Sequence, residues 1–195
     1  ILPAEGDAAL VEGQQAAASL HMMDFATGQL FDWLLSGQRA FTVIERLPSS
    51  LTGSPIVAGR DKIYTQIVDE IPISPGPHQL AITLTRCDGD LGVAYLIDGR
   101  RVSSVSNVGV PLDVQGVRYT GTWPSLGPGE QLVDQLDTVV IGHGLFSLLD
   151  AFPFQHADAP EASVSIPSSE RIFGQGASAS FGRFGVEIEH LPATD

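Results

Sequence analysis

The chain of 195 residues is poor in cysteine and in positive charge. Its single cysteine, Cys87, excludes an internal disulfide, and only one of its ten basic residues, Lys62, is a lysine. Acidic residues number 23, so the formal net charge is −13. A chain this acidic would repel phosphate backbones and anionic lipid headgroups. We therefore expect neither nucleic acid nor a membrane surface among its partners.

The usual sequence signatures of membrane spans, metal sites and cofactor sites are also missing. No run reaches the roughly 20 apolar residues that a transmembrane helix needs. The chain holds no zinc-protease motif, Cys-x-x-Cys, phosphate loop or nucleophile elbow. Its only asparagine, Asn107, lies outside a glycosylation sequon. The sequence therefore indicates no metal and no cofactor, and it favours the cytoplasm, with secretion left open.

Turn-forming residues, by contrast, are abundant. Gly (21) and Pro (13) are scattered along the chain, 43% of the residues are hydrophobic and only 17% are charged. No segment longer than about ten residues keeps the 3.6-residue period of an amphipathic helix. Many short strands between frequent turn signals are typical of a sandwich or barrel. We predict a single all-β domain over residues 1–195.

Three antiparallel strands are predicted in a meander over residues 17–47. Residues 26–28 predict a three-residue turn with Gly28 left-handed, which pairs Phe25 with Gln29. Asp24 would accept hydrogen bonds from the amides of this turn.

The second connection of the meander is Gly37-Gln38. It predicts a two-residue type II′ turn, because Gly stands where a positive φ is needed. This turn pairs Ser36 with Arg39, and hence Asp32 with Val43.

Later segments continue the strand pattern. Residues 78–86 and 92–97 are strand-like, and Asp98-Gly99 predicts the turn to a following strand. The apolar run 138–149 predicts a strand that is buried on both faces or bent around the sandwich edge. Residues 184–189 alternate apolar with polar or small residues, which predicts a last strand.

The predicted register gathers three carboxylates on one face of the meander. Because side chains alternate between faces, Asp24, Asp32 and Glu45 point the same way. Carboxylates that crowd an apolar face repel one another and lose solvation, which raises at least one pKa. A general acid and a general base can arise from one residue type in this way. The alternatives are a solvent-exposed face, or Asp24 as a turn cap with an arginine neutralising a neighbour.

The opposite face is predicted to carry His21 beside Trp33, together with Phe31. One interpretation is a ligand platform with a titratable imidazole, and the other is a core contact, the usual fate of an aromatic cluster on a sandwich. The two faces are not both expected to be core. His143 is a second candidate histidine, because its neighbours Gly142 and Gly144 let a backbone or a ligand approach closely.

Two segments resemble the concanavalin A-like lectins and glucanases. Residues 78–82 and 93–102 contain Tyr95-Leu96-Ile97-Asp98-Gly99, which is similar to a Tyr-x-x-Asp-Gly hairpin of that superfamily. Residues 171–184 resemble its closing strand. The resemblance implies a jelly-roll sandwich of two antiparallel sheets. The glucanase motif Glu-x-Asp-x-x-Glu is absent from the sequence, so glucanase chemistry is not implied.

From about His21 onward the chain also resembles an uncharacterised bacterial and fungal family of that fold. The shared segments are residues 24–28, 31–32, 45–47, 144–146 and 174–176. Members of such families carry further strands before the meander. The resemblance therefore implies that N-terminal strands are missing here or come from a companion chain, and it leaves a homo-oligomer open.

Three functions from different classes fit these observations. The first is a cofactor-independent enzyme that acts on a small hydroxylated substrate by hydrolysis, elimination or an isomerising cyclisation. Its candidate catalytic residues are Asp24, Asp32, Glu45 and His21. Its candidate substrate-binding residues are Phe31, Trp33, Tyr95 and His143. The second is a lectin-like module that binds a carbohydrate or another small molecule, and a third option is an assembly domain that docks a partner through an apolar face.

Overall fold

The computed structural model of the protein describes most of the predicted strands and no helix within the described residues. The described residues are 16–47, 64–87, 90–106, 108, 136, 138–147, 154–156, 159–164 and 178–189. Their strands are β1 (Ala16–Met23), β2 (Gln29–Leu35), β3 (Arg39–Arg46), β4 (Tyr64–Pro72), β5 (Leu80–Cys87), β6 (Asp90–Ile97), β7 (Arg100–Val105), β8 (Val140–Ser147), β9 (Phe154–His156) and β10 (Ala159–Val164). The prediction of an all-β protein is confirmed for this part of the chain.

The strands form two main antiparallel sheets. One has five strands in the order β4-β3-β2-β1-β8, and the other has three in the order β5-β6-β7. Strands β9 and β10 pair separately. The predicted meander is confirmed as β1, β2 and β3, and the apolar run 138–149 contains β8, which lies at the edge of the five-stranded sheet.

A hydrophobic core joins the two main sheets. Trp33 of β2 is completely buried, its indole Nε1 donates to the carbonyl of Ala81 on β5, and its ring meets Tyr95 of β6 edge-on. The Tyr95 hydroxyl donates to the carbonyl of Val43 on β3 at 2.6 Å. Both polar atoms of these large rings therefore find backbone acceptors across the sandwich, as buried aromatic side chains require.

The β1–β2 turn departs from the predicted register by one residue. The backbone amide of Asp24 donates to the carbonyl of Gln29, and the amide of Gly28 donates to the carbonyl of Asp24. The turn therefore encloses four residues rather than three, and the predicted pairing of Phe25 with Gln29 is wrong. The predicted left-handed Gly28 is confirmed with φ 75°. A Cβ there would lie 2.6 Å from the carbonyl oxygen of Leu47, so Gly is needed for space as well.

The β2–β3 turn has the predicted pairing but not the predicted type. Ser36 pairs with Arg39, and Asp32 lies opposite Val43, so this register is confirmed. Gly37 does not have the positive φ of a type II′ turn. Instead, the Ser36 hydroxyl accepts hydrogen bonds from the amides of Gln38 and Arg39. A serine side chain stabilises this turn without a left-handed residue.

The β6–β7 turn is confirmed at Asp98-Gly99, where φ is 52° and 76°. Two consecutive positive φ values make it a type I′ turn, the twist that suits a tight hairpin. The Asp98 carboxylate accepts the amide of Gln79 and pairs with His78, whose other ring nitrogen contacts the carbonyl of Ser74. The turn is thereby tied to the β4–β5 connection.

The predicted last strand is not present as a strand. Residues 178–189 are described but carry no strand assignment, and their side chains are exposed. Exposure rises along the segment to 82% at Ile188. An apolar–polar alternation predicts a strand only if a sheet edge is available to pair with it, and the described residues show no such pairing here.

Both faces of the five-stranded sheet are buried at its centre. The core face, which packs on the three-stranded sheet, includes Met22, Phe31, Trp33, Ala40 and Ile44. The opposite face has its own buried cluster of Ala17, Leu34, Phe41, Val43 and Ile67. The expectation that only one face could be core is therefore wrong.

Candidate functional site

The second buried face of the five-stranded sheet carries polar side chains on β1, β2 and β3 among apolar ones. In the observed β1–β2 register, His21 lies directly opposite Asp32, and Met23 lies opposite Leu30. In the β2–β3 register, Leu30 lies opposite Glu45. We call this surface the polar face. On the three central strands it includes Ala17, Ser19, His21, Met23, Leu30, Asp32, Leu34, Arg39, Phe41, Val43 and Glu45.

The one-residue difference between the predicted and observed β1–β2 register changes which residues belong to the predicted carboxylate cluster. Asp32 and Glu45 remain together, whereas His21 joins them from the face on which it was predicted. Its predicted place opposite Trp33 belongs to Leu20. Side chains alternate along a strand, so a slip of one residue moves every side chain of β1 to the other face.

Asp24 does not join the polar face. Its Oδ1 accepts the amide of Ala26 at 2.9 Å, and its Oδ2 accepts the hydroxyl of Thr27 at 2.9 Å. The carboxylate is buried inside its own turn, as the turn-cap interpretation proposed. These bonds make Asp24 the first residue of the turn, which explains why the loop is one residue longer than predicted.

Asp32 is the most deeply placed ionisable group of the polar face. Only 7% of it is exposed, and its neighbours Leu30 and Leu34 on β2 and Val43 on β3 are apolar. Burial raises the pKa of the Asp32 carboxyl well above its usual range, and the nearby charge of Glu45 raises it further. A hydrogen bond from Ser19 opposes this rise. The outcome is a carboxyl group that holds its proton to higher pH than an exposed aspartate does.

Ser19 connects Asp32 to His21. Its Oγ donates to Oδ1 of Asp32 at 3.4 Å and lies 3.2 Å from Nδ1 of His21. When Asp32 is ionised and accepts the hydroxyl hydrogen of Ser19, Oγ is left to accept from Nδ1 of His21. In this arrangement the neutral imidazole carries its proton on Nδ1, and Nε2 is the basic nitrogen.

His21 lies against the backbone of β8. A Cβ on Gly142, its partner on that strand, would lie only 2.8 Å from Nε2 of His21. Glycine at this position therefore makes room for the imidazole. Burial lowers the pKa of His21, and the charge of His143 lowers it further. A neutral ring is thus favoured near neutral pH. The predicted close approach at this Gly-His-Gly segment is made by a histidine ring of the neighbouring strand.

The end of the polar face nearest the β1–β2 turn is the more open one. His21, Met23 and Glu45 are half-buried there, whereas Leu34 and Phe41 at the other end are buried.

His143 is separated from this group. It lies opposite Leu20 and so projects from the other face of the sheet, at the exposed edge strand β8. Its ring stacks on Phe181 with centroids 4.2 Å apart and meets Phe184 edge-on at 5.8 Å. The three rings form what we call the aromatic edge cluster, to which the exposed segment 178–189 contributes both phenylalanines.

The remaining candidate residues lie in the core. Phe31, Trp33 and Tyr95 are completely buried between the sheets. A ligand could stack on them only if the sandwich opened. The core interpretation, which the sequence left open for Phe31 and Trp33, describes the placement of these two rings and of Tyr95 as well.

Ser19 is the polar residue of this face that sequence reasoning missed. Its position two residues before His21 puts both on the same face of a strand. The correct β1 register would have placed both beside Asp32. In the described part of the chain, no group of three or more His, Cys, Asp or Glu side chains is arranged to hold a metal ion. No helix among those residues is long and apolar enough to cross a membrane.

The described residues define an all-β protein with two main antiparallel sheets. A comparison with protein families shows which family the chain belongs to. A family model described as "Family of unknown function (DUF6081)" matches residues 7–190. The chain belongs to this family. No curated protein and no solved structure matches the chain. The match agrees with the resemblance to a family without an established activity.

Proposed function

We propose that the protein is a cofactor-independent enzyme whose acid–base centre is formed by Asp32 and Glu45 on the polar face. One observation carries the proposal: two carboxyl groups share a largely apolar, buried surface, and one of them is almost fully removed from water. Burial of an ionisable group without a stabilising role is costly, so a buried carboxyl group beside a second one points to a functional use.

The two carboxyl groups suit different roles. Asp32 is buried and has a raised pKa, so it supports the role of a general acid that delivers a proton to a substrate oxygen. Glu45 is half-buried beside it and supports the role of a general base. Environments that separate two carboxyl groups in this way are how one residue type supplies both functions. His21, with its lowered pKa, is a neutral neighbour that can accept a proton.

This chemistry suits a small hydroxylated substrate entering at the open end, past Met23. Protonation of an oxygen by Asp32 and removal of a proton by Glu45 serve hydrolysis, elimination and isomerising cyclisation alike. We also infer that the two sheets belong to a concanavalin A-like jelly roll. The support is the antiparallel pairing throughout and the confirmed Asp98-Gly99 hairpin turn that carried the resemblance.

The first test is an NMR titration of the side-chain carboxyl carbons. We expect Asp32 to titrate above the ordinary range of aspartate, and Glu45→Gln to lower the pKa of Asp32 because a neighbouring negative charge is removed. The matched control is Glu187→Gln in the exposed segment 178–189, which should leave Asp32 unchanged. An ordinary pKa for Asp32 in the wild type would remove the basis of the proposal.

The second test looks for turnover. The wild type and Asp32→Asn are incubated with a panel of saccharides, polyols and hydroxy acids, and products are followed by NMR. Conversion by the wild type with retained binding but lost conversion in Asp32→Asn supports the enzyme. Equal conversion by both proteins contradicts the assigned role of Asp32.

A non-catalytic binding module is the second candidate, and the aromatic edge cluster favours it. The Phe181 and Phe184 rings are exposed beside His143, an arrangement that can stack on the apolar face of a sugar. In the same panel, a ligand that binds without conversion and is lost in Phe181→Ala but retained in Asp32→Asn would select this function.

A further inference from the structure

We propose that Ser19 is a proton relay between His21 and Asp32, through which the buried carboxyl group exchanges protons with solvent. The relay serves the acid–base chemistry proposed above and rests on that function for its use. Its geometry stands by itself, because three consecutive polar groups are linked on one face of the sheet.

Because Asp32 is buried, it needs a route by which protons can reach it from solvent, and the relay provides one. A carboxyl group must regain or lose a proton in each catalytic cycle, and Asp32 has only 7% of its surface exposed. Ser19, at 2% exposed, is buried as well. His21 is half-buried at the open end, so among the three linked groups its imidazole ring is the one nearest to water.

The two contacts have the order that proton transfer needs. Nδ1 of His21 lies 3.2 Å from Oγ of Ser19, and Oγ lies 3.4 Å from Oδ1 of Asp32. A hydroxyl group both accepts and donates a hydrogen bond, so it can take a proton from one side while releasing its own to the other. Both distances are at the long end of hydrogen bonding, and they shorten on transfer only if the side chains are held in line.

Each transfer balances. Nε2 of His21 takes a proton from water, Nδ1 passes its proton to Oγ of Ser19, and Oγ passes its proton to Asp32. The carboxyl group ends neutral, the serine is unchanged, and the imidazole is again neutral with its proton on Nε2 instead of Nδ1. The reverse sequence returns a proton from Asp32 to water.

Gly142 acts as a positioning residue for this relay. It lets the imidazole lie against the backbone of β8, where a Cβ would come within 2.8 Å of Nε2. Since His21 and Asp32 are direct cross-strand partners, the ring must keep this orientation for Nδ1 to reach Ser19.

The relay makes a specific prediction about the tautomer of His21. When Asp32 is ionised, Ser19 donates to it and accepts from Nδ1–H of His21. When Asp32 is protonated, it donates to Ser19, and Ser19 donates to a bare Nδ1, so the ring proton sits on Nε2. The tautomer of the neutral imidazole should therefore switch with the same midpoint as the titration of the Asp32 carboxyl carbon.

The experiment records long-range proton–nitrogen spectra of the His21 ring and carboxyl-carbon shifts of Asp32 across one pH series. We expect coincident midpoints in the wild type, loss of the tautomer switch in Ser19→Ala, and its rescue in Ser19→Thr, which restores a hydroxyl. The control Ser104→Ala, at an exposed position of β7, should behave as the wild type does. The wild-type series alone decides the proposal if a Ser19 variant does not fold.

Several outcomes would overturn the relay. They are a single His21 tautomer across the titration of Asp32, a switch that persists in Ser19→Ala, and covalent labelling of Ser19 by a fluorophosphonate probe, which would make it a nucleophile. These results are separate from the test of the function. A coincident switch without turnover refutes the enzyme and keeps the relay, whereas full turnover in Ser19→Ala refutes the relay and keeps the enzyme.

Discussion

The two faces of the five-stranded sheet are both buried, but they are built differently. The core face presents Phe31, Trp33 and Ile44 to the second sheet. Its central polar groups are hydrogen-bonded across the sandwich: Trp33 donates to the carbonyl of Ala81, and Thr42 accepts from Ser103. The polar face has a comparable apolar cluster at one end. At its other end, Ser19 is hydrogen-bonded to both His21 and Asp32, and the charge of Glu45 lies near Asp32.

This difference identifies the end of the polar face where the burial of a carboxyl group works against stability. Apolar packing contributes to stability in proportion to the area removed from water, and an ionisable group in the same environment subtracts from it. A sheet that buries Asp32 next to Glu45 gives up stability on one side, as sites that need perturbed pKa values often do. The comparison leads to three predictions, from the largest expected effect to the smallest.

Large-to-small substitutions should show that both faces are core at their centres. Trp33→Ala on the core face should lower the free energy of unfolding by about 3–5 kcal/mol, and Phe41→Ala on the polar face should cost a similar amount, because both side chains are buried. Denaturant unfolding measures both. A loss in Phe41→Ala comparable to that of a surface substitution such as Thr83→Ala would mean that the polar face is not packed.

The buried carboxyl group of Asp32 on the polar face should change how the free energy of unfolding depends on pH. The folded-state pKa of Asp32 is raised mainly by burial, so the unfolded chain loses this proton first as the pH increases from about 3.8, its ordinary value. The contribution of Asp32 to stability is therefore most favourable at low pH and falls until the folded carboxyl group ionises.

Asp32→Asn should abolish this fall, so its free energy of unfolding should rise relative to the wild type between mildly acidic and neutral pH. Urea unfolding over a pH series measures the difference. Glu187→Gln, which removes an exposed carboxylate, should keep the wild-type profile. If the profiles of Asp32→Asn and the wild type run parallel, the buried end of the polar face is not a site of perturbed ionisation.

The smallest effect is expected at the His78–Asp98 pair, which lies far from both faces. The pKa of His78 is raised by its hydrogen bond to the carbonyl of Ser74 and, next in size, by its hydrogen bond to Asp98. His78 in turn lowers the pKa of Asp98. The contribution of the pair is present above the ordinary pKa of an aspartate and below the raised pKa of His78. It is lost as the pH falls through the lowered Asp98 pKa or rises through that of His78.

His78→Ala should remove this dependence with only a minor loss of stability, because Asp98 is exposed and solvent screens the pair. Asp98→Asn, which keeps an acceptor for the amide of Gln79, is the matched variant and should remove the charge effect alone. Thermal unfolding at pH 5 and at pH 9 would show it. An unchanged difference between these two pH values in His78→Ala would count against the pairing.

The sequence was sufficient for the fold class and for most of the meander, and insufficient for the site. Periodicity predicted β2 and β3 with their register, because turn pairing at Ser36 follows from loop length alone. It missed the β1 register because the Asp24 side chain, by bonding Ala26 and Thr27, enlarges the turn. The failure of the predicted last strand has a different origin, since a strand needs an available edge, and alternation within residues 184–189 says nothing about one.

The four-residue turn between Asp24 and Gln29 has a consequence for how this family can vary. Substitutions can change one side chain of β1 at a time, but removing or inserting a single residue in this turn would turn the whole strand over. Ser19 and His21 would then face the aromatic core, and Leu20 and Met22 would take their places beside Asp32. Relatives that keep Ser19, His21 and Asp32 on one face should therefore tolerate changes of residue in this loop and should not tolerate changes of its length.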